Sequence, residues 1–267
     1  MDVNGKVFAV TGAGNGIARE VTLQLLAKGA RVAGIDLNAD GLQQTAALAN
    51  AGDRFTQHVV NITDREATAA LPAQVIAEHG QVDGLLNIAG VIQQFVKVID
   101  LPFSEIEKVM NVNFWGVINM VKAFLPELVE RRQASILNVS SMGGYAPVPG
   151  QAVYGASKAA VMLLTEALYA ELLGTNVAVT VIFPGAIGTN IAQNSGVAIT
   201  ADADSAEAPK HKMTAPSEAG RVIVDALEKG KFRATIGSDA AMLDRLARLS
   251  PKKATEIVAK QMADLLS

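Results

Sequence analysis

The chain of 267 residues contains no cysteine. A disulfide framework, a thiolate zinc site and a cysteine nucleophile are therefore excluded. Histidine is scarce: His58, His79 and His211 stand far apart, and no catalytic or metal-binding role is assigned to any of them. No uninterrupted apolar run reaches the roughly 18 residues of a membrane span. The most apolar stretch, 159–173, is broken by Thr165, Glu166 and Glu171. Basic blocks are missing too, Lys252-Lys253 being too short to count, and the formal net charge is −3. Nucleic acid and anionic membrane are thereby set aside as main partners. The start, Met1-Asp2-Val3-Asn4-Gly5-Lys6, lacks the basic and then apolar pattern of a secretory leader. The expectation is a soluble cytoplasmic protein.

What is present favours one large core, with 50% hydrophobic and 18% charged residues. Short apolar runs at 7–10, 32–35, 55–60, 84–87, 135–139 and 177–183 read as buried strands. Helical patterns lie between them, near 16–28, 39–50, 64–79, 104–132 and 152–173. This alternation predicts right-handed βαβ units and a parallel sheet with helices on both faces, an α/β/α sandwich. A helix near 216–229, a strand at 233–236 and two helical segments, 240–249 and 251–265, complete the chain. Without repeats or a linker, residues 1–267 read as a single domain. Residues 188–215, rich in small and polar side chains, read as a loop over a strand end, where ligand lids often sit. The extension 239–267 carries apolar faces that must pack on a subunit interface, over the site or onto the core.

The first strand runs into Thr11-Gly12-Ala13-Gly14-Asn15-Gly16-Ile17-Ala18, and a helix follows. Glycines there allow a tight turn and close approach of a pyrophosphate, while the helix start offers free N–H groups. Asp36 closes the second strand twenty residues after Gly16. An acid there can accept both hydroxyls of an adenosine ribose and would repel a 2′-phosphate. Neither Asn15 nor Leu37-Asn38 offers a cation for that phosphate, so NAD is expected in preference to NADP. Arg19 and Arg31 are the nearest cations.

Tyr154-Gly155-Ala156-Ser157-Lys158 places a lysine four residues after a tyrosine, on one helix face. A neighbouring ammonium favours a phenolate, so Lys158 is expected to lower the Tyr154 pKa. A tyrosine so poised can act as a general acid/base. Ser141 stands thirteen residues before Tyr154 and offers a hydroxyl for the same substrate oxygen.

Together these pieces resemble the short-chain dehydrogenase/reductase family in its single-domain form, from about Lys6 to Arg233. Gly12-x-x-x-Gly16 matches its cofactor turn, and Asn87-Ile88-Ala89-Gly90 looks like its strand-four motif. Asn113, before Phe114-Trp115-Gly116, matches its catalytic asparagine. Pro184-Gly185-Ala186-Ile187-Gly188-Thr189 looks like its nicotinamide-side turn. Three positions depart from the pattern: Ala18 for a glycine, Ile88 for an asparagine, and Asn61 (in Asn61-Ile62-Thr63) for an adenine-contacting aspartate.

The resemblance implies a Rossmann-type doubly wound fold and hydride transfer between a nicotinamide and a secondary alcohol or ketone. Tyr154 would be the acid/base, Lys158 would hold the ribose, Ser141 the reacting oxygen, and Asn113 a water in a proton relay. Cofactor contacts are expected from Gly12, Asn15, Gly16, Ile17, Asp36, Leu37, Asn61, Ile62, Asn87, Ala89, Gly90, Pro184, Gly185, Ile187 and Thr189, besides Tyr154 and Lys158. No metal is expected. Met142, Gly143, Tyr145, Val148, Gln151, Gln93, Phe95, Gly185, Ala186 and Ile191 are candidate substrate contacts. Mostly apolar with two amides, they point to a lipophilic or medium-sized neutral alcohol or ketone. Lys210, His211 and Lys212 read as solvated charges. Members commonly assemble as tetramers or dimers through helices near 104–132 and 152–173, so a homotetramer or homodimer is expected. Two other readings stand beside this one: an NADPH-linked 3-oxoacyl-type ketoreductase and a non-catalytic NAD-binding sensor. A sugar-nucleotide epimerase would need a larger substrate domain.

Overall fold

The first strand, β1 (Val7–Thr11), shows how the chain builds two cores at once. Successive side chains of a strand point to opposite faces. Phe8 and Val10 enter one apolar cluster and Val7 and Ala9 the other. All five residues are buried. This central strand therefore reads as a continuous apolar run rather than an alternating one.

The computed structural model describes residues 1–197 and 213–262. Its strands continue with β2 (Arg31–Asp36), β3 (Phe55–Val59), β4 (Gly84–Asn87), β5 (Ala134–Val139), β6 (Val177–Pro184) and β7 (Arg233–Ile236). Its helices are α1 (Gly16–Ala27), α2 (Ala39–Ala49), α3 (Arg65–His79), α4 (Phe103–Met110), α5 (Gly116–Val129), α6 (Ala152–Glu171), α7 (Ile191–Asn194), α8 (Pro216–Glu228), α9 (Ser238–Leu249) and α10 (Pro251–Gln261). The strands form one sheet in the order β3-β2-β1-β4-β5-β6-β7, with every neighbouring pair parallel. On one face α1 and α8 bury Val21, Leu25, Ile223 and Val224 against Phe8, Val10 and Val32. On the other, α3, α5 and α6 bury Leu71, Met120, Phe124 and Val161 against Ala9, Ile35 and Ile136. The fold is the expected doubly wound α/β/α sandwich.

Winding reverses between β1 and β4, which opens a crevice at the carboxyl ends of the strands. The register puts Thr11 beside Ile35 and Asn87, and Asn87 beside Asn138. The Gly12 turn, Asp36, the Asn87–Gly90 turn, Ser141 and Pro184 thus emerge from one edge of the sheet.

One expectation is corrected. The stretch 104–132 is not one continuous helix: α4 and α5 are separated by a π-helical turn, Asn111–Trp115. Such turns insert a residue into the i→i−4 ladder and occur often at functional sites. Of the three places expected for the extension, its described residues take up the core of their own chain. Leu243 of α9 and Val258 of α10 join Ala146, and Met142, Tyr145, Val148 and Met262 pack around them. Leu265, Lys210, His211 and Lys212 and most of the 188–215 loop lie outside the described residues. From that loop come α7 and a bridge between Ile187 and Thr214.

Candidate active site

At the nucleotide end, Gly12 turns the chain with φ of 79°, where only glycine is unstrained. A Cβ there would also lie 3.1 Å from the Ala89 Cα. Thr11 Oγ1 accepts hydrogen bonds from the N–H groups of Ile88 (3.0 Å) and Ala89 (3.1 Å), locking the first turn to the turn after β4. The Asp36 carboxylate accepts from Gly14 N–H and Asn38 N–H, both at 2.9 Å. The cap of α2 is Asn38, whose side chain accepts from Gly41 N–H at 3.0 Å. Asp36 is therefore a brace for the glycine turn with lone pairs to spare. Arg19 is engaged by Thr45 at 3.0 Å, by the Gly41 carbonyl and Gln44 at 3.2 Å, and by the Gly14 carbonyl. Arg31 begins the strand that Asp36 ends, about 16 Å away at 3.3 Å per residue. It bonds His79 at 3.1 Å and Asp53 at 3.3 Å.

At the other end, Ser141 leaves β5 and its Oγ accepts from Gly143 N–H at 3.1 Å. Tyr154 and Lys158 both lie on α6. The Lys158 ammonium donates to the Val139 carbonyl at 3.1 Å, and Ser140 Oγ donates to the Lys158 carbonyl at 2.7 Å. Lys158 Nζ is 5.9 Å from the Tyr154 ring centre. Burial lowers the Lys158 pKa to about 8. The expected lowering of the Tyr154 pKa is not found. Burial of the phenol raises it, opposed only by the Ser141 hydroxyl. Desolvation penalises the charged form of a buried group, and Lys158, itself with its charge disfavoured by burial, does not reverse it.

The π turn aims Asn113 inward. Its Oδ1 accepts from Val91 N–H and its Nδ2 donates to the Val91 carbonyl, both at 2.9 Å, and Nδ2 also donates to Ser157 Oγ at 3.0 Å. Ser157 Oγ donates in turn to the Tyr154 carbonyl at 2.7 Å. Gly90 lies against this group: a Cβ there would sit 3.1 Å from Lys158 Nζ and 3.3 Å from Asn113 Oδ1. Gly90→Val is therefore expected to push Lys158 aside and lower kcat/KM by about 10²-fold, the cost of a misplacement near 1 Å. Steady-state rates at unchanged thermal midpoint would show it. An unaltered rate would mean that this close approach has no bearing on turnover.

A cleft of about 600 Å³ joins the two ends. Gly12, Asn15, Gly16, Ile17, Asp36, Leu37, Asn61 and Ile62 line it, as do Ala89, Gly90, Ser141, Tyr154, Lys158, Pro184, Gly185, Ile187 and Thr189. The structure brings these sequence-predicted residues together. Two predicted residues lie behind the wall instead. Asn113 is spent on Val91 and Ser157, and Asn87 donates to Asn138 Oδ1 at 2.8 Å. Of the candidate substrate contacts, Phe95 and Ile191 pack with Tyr154 against Ile92, Ala192 and Val197, an apolar wall. Tyr145 is turned away: its hydroxyl donates to the Ala240 carbonyl at 2.7 Å, and Met142 and Val148 face α9 and α10 with it. Gln93 and Gln151 are buried and bonded to each other's segment. Sequence reasoning missed Thr11 as a clasp and Ser157 as the link from Asn113 to Tyr154. Both sit inside quoted motifs, but only the fold shows their partners.

The sequence and the fold are similar to those of known proteins. The family described as short chain dehydrogenase matches residues 6–199. SadH of Mycobacterium tuberculosis, named as an oxidoreductase, is 38% identical over 265 residues, 97% of this chain and 96% of that protein. A short chain dehydrogenase/reductase from Burkholderia phymatum in complex with NAD superposes with a TM-score of 0.84, covering 94% of this chain and 96% of its own. At 23% identity it shows the fold alone. A short chain dehydrogenase from Burkholderia cenocepacia J2315 in complex with NADP has a TM-score of 0.79 at 26% identity, with all of both chains covered. The chain belongs to the short chain dehydrogenase family, and is an oxidoreductase with an NAD(P)-binding Rossmann fold.

Proposed function

We propose that this protein is an NAD-linked dehydrogenase acting on a lipophilic secondary alcohol or the matching ketone. The observation that carries the reading is one cleft with Asp36 and the glycine turn in one part and Ser141, Tyr154 and Lys158 in another. The residues fit a dinucleotide: Gly12 leaves room that a Cβ would fill against Ala89, and Asp36 keeps free acceptor capacity. Gly12, Asn15, Gly16 and Ile17 would hold the diphosphate, Asp36 and Leu37 the adenosine ribose, and Asn61 and Ile62 the adenine. Ala89, Gly90, Pro184, Gly185, Ile187 and Thr189 would hold the nicotinamide half. When bound, the nicotinamide supplies the hydride chemistry. The chain's own residues handle the oxygen and its proton. Ser141 would donate to the reacting oxygen and stabilise its developing charge. Tyr154 would give a proton to that oxygen in reduction and take it in oxidation. Lys158 would hold the ribose, and Asn113, its amide spent on Val91 and Ser157, would fix the backbone around Val91 rather than hold a water. Ile92 and Ile191, which line the cleft with Phe95, Ala192 and Val197 packed behind them, support an apolar substrate. Exposed Leu163 on α6, Leu173 just past its end and Trp115 on the π turn support self-association as a homotetramer or homodimer.

Preference for NAD is argued from charge. A 2′-phosphate beside Asp36 would meet a like charge, Arg31 is at the far end of β2, and Arg19, though near the glycine turn, is already bonded to the Gly14 and Gly41 carbonyls. The expected kcat/KM ratio of NAD over NADP is on the order of 10²-fold, and Asp36→Ala should narrow it, since juxtaposed like charges cost several kcal/mol. Initial rates with the two cofactors check this. Equal rates, or faster turnover with NADP, would overturn the cofactor assignment.

A further inference from the structure

Helix α6 carries Tyr154 as its third residue, yet it begins without a cap of its own. The first N–H groups of any helix have no partner inside it, and the side chain of Gln151 provides none. The acceptor comes from sixty residues upstream. Gln93 Oε1 accepts from Val153 N–H at 2.9 Å and from Tyr154 N–H at 3.0 Å. These are the second and third helical positions, the pair that an N-cap oxygen ordinarily serves. The same amide uses Nε2 to donate to the Gly150 carbonyl at 2.9 Å, and the Gln93 carbonyl accepts from Gln151 Nε2 at 2.8 Å. Gln93 has no solvent exposure and Gln151 only 4%. Four hydrogen bonds thus clasp the chain just after the Asn87–Gly90 turn to the first turn of α6. Gln93 does not line the cleft, so this bonding leaves it no direct contact with substrate.

We propose that Gln93 is a positioning residue that sets the place of the Tyr154 phenol by capping α6 from outside the helix. The proposal rests on reading Tyr154 as the acid/base. The rest of α6 does not depend on the clasp: Val161, Thr165 and Leu168 are buried, and Lys158 is tied to Val139. Loss of the cap therefore loosens residues 152–154 while Lys158 stays in place, which separates proton transfer from cofactor binding.

Two variants and two readouts test this. Gln93→Met keeps length and removes the amide; Gln93→Glu keeps the acceptor for the two N–H groups. With NAD and the fastest alcohol of a secondary-alcohol panel, Gln93→Met is expected to lose kcat by about 10–10²-fold. KM for NAD should stay within about three-fold, since that much is a small change in binding free energy. Gln93→Glu should recover part of the loss. The second readout needs no substrate. The chain has three tyrosines, so in a Tyr145→Phe/Tyr169→Phe background the tyrosinate absorbance titration reports Tyr154 alone. Water reaching a loosened first turn should move its midpoint down in Gln93→Met and less in Gln93→Glu. Full kcat and an unmoved titration in both variants would overturn the positioning role. Tyr154→Phe run beside them separates the two ideas: if it retains turnover, the acid/base reading fails, and the titration still decides whether Gln93 places the phenol.

Discussion

Tyr154→Phe is expected to lower turnover by about 10²–10⁴-fold, the usual worth of a positioned general acid or base. The change removes one oxygen and little else. The ring keeps its packing against Ile92, Ala192 and Val197. The backbone N–H of residue 154 keeps its bond to Gln93. Loss of the hydroxyl's interaction with Ser141 should cost stability by only about 1 kcal/mol, the net worth of an ordinary hydrogen bond. NAD affinity, measured by titration of protein fluorescence, should therefore persist while kcat collapses. A variant within three-fold of wild-type kcat, at intact NAD affinity, would remove Tyr154 from the proton path.

The second large effect concerns stability and lies at the opposite end of the sheet. Asp83, at the foot of β4, has no solvent exposure. Its Oδ2 accepts from Val7 N–H at 2.9 Å and from Gln81 Nε2 at 2.7 Å. Its Oδ1 accepts from Arg131 Nε at 3.0 Å and Nη2 at 2.9 Å, and Lys6 Nζ lies at 3.6 Å. One carboxylate thus joins β1, β4 and the end of α5. Asp83→Ala leaves the Val7 N–H and the Arg131 guanidinium without their acceptor. Removing one member of a buried pair costs about 3–5 kcal/mol, and the lower end applies because Arg131 is 33% exposed. Denaturant unfolding should show the loss as a shifted midpoint at constant slope. A loss below about 1 kcal/mol would mean that water replaces the carboxylate at little cost, as at a surface pair.

These two residues mark what sequence alone can and cannot disclose. The strands are legible because a sheet covered on both faces buries nearly every side chain of its central strands, and Val7–Val10 and 177–183, the latter broken only by Thr180, show that as apolar runs. The glycine turn, Asp36 and the Tyr154/Lys158 spacing were legible because each is local, a turn or a helix repeat. Asp83 leaves no such mark: beyond Gln81, its partners Val7 and Arg131 are 76 and 48 residues away. Gln93 was read as a substrate contact because it follows the strand-four turn, and only the fold shows its amide spent on α6. The π turn was invisible because an i→i+5 bond leaves no imprint on an apolar period, so 104–132 read as one helix. The direction of the Tyr154 shift was misjudged for a related reason. Lys158 four residues on is a sequence fact, whereas burial of the phenol is a property of the whole cleft.

The most direct measurement is the growth of reduced-nicotinamide absorbance with NAD and with NADP against a panel of secondary alcohols, wild type beside Tyr154→Phe. The account predicts turnover with NAD, weaker turnover with NADP, fastest rates for apolar alcohols, and near-silence in the variant. NAD binding without turnover on any alcohol, or on the matching ketones with NADH, would contradict it and favour a nucleotide sensor built on the same fold.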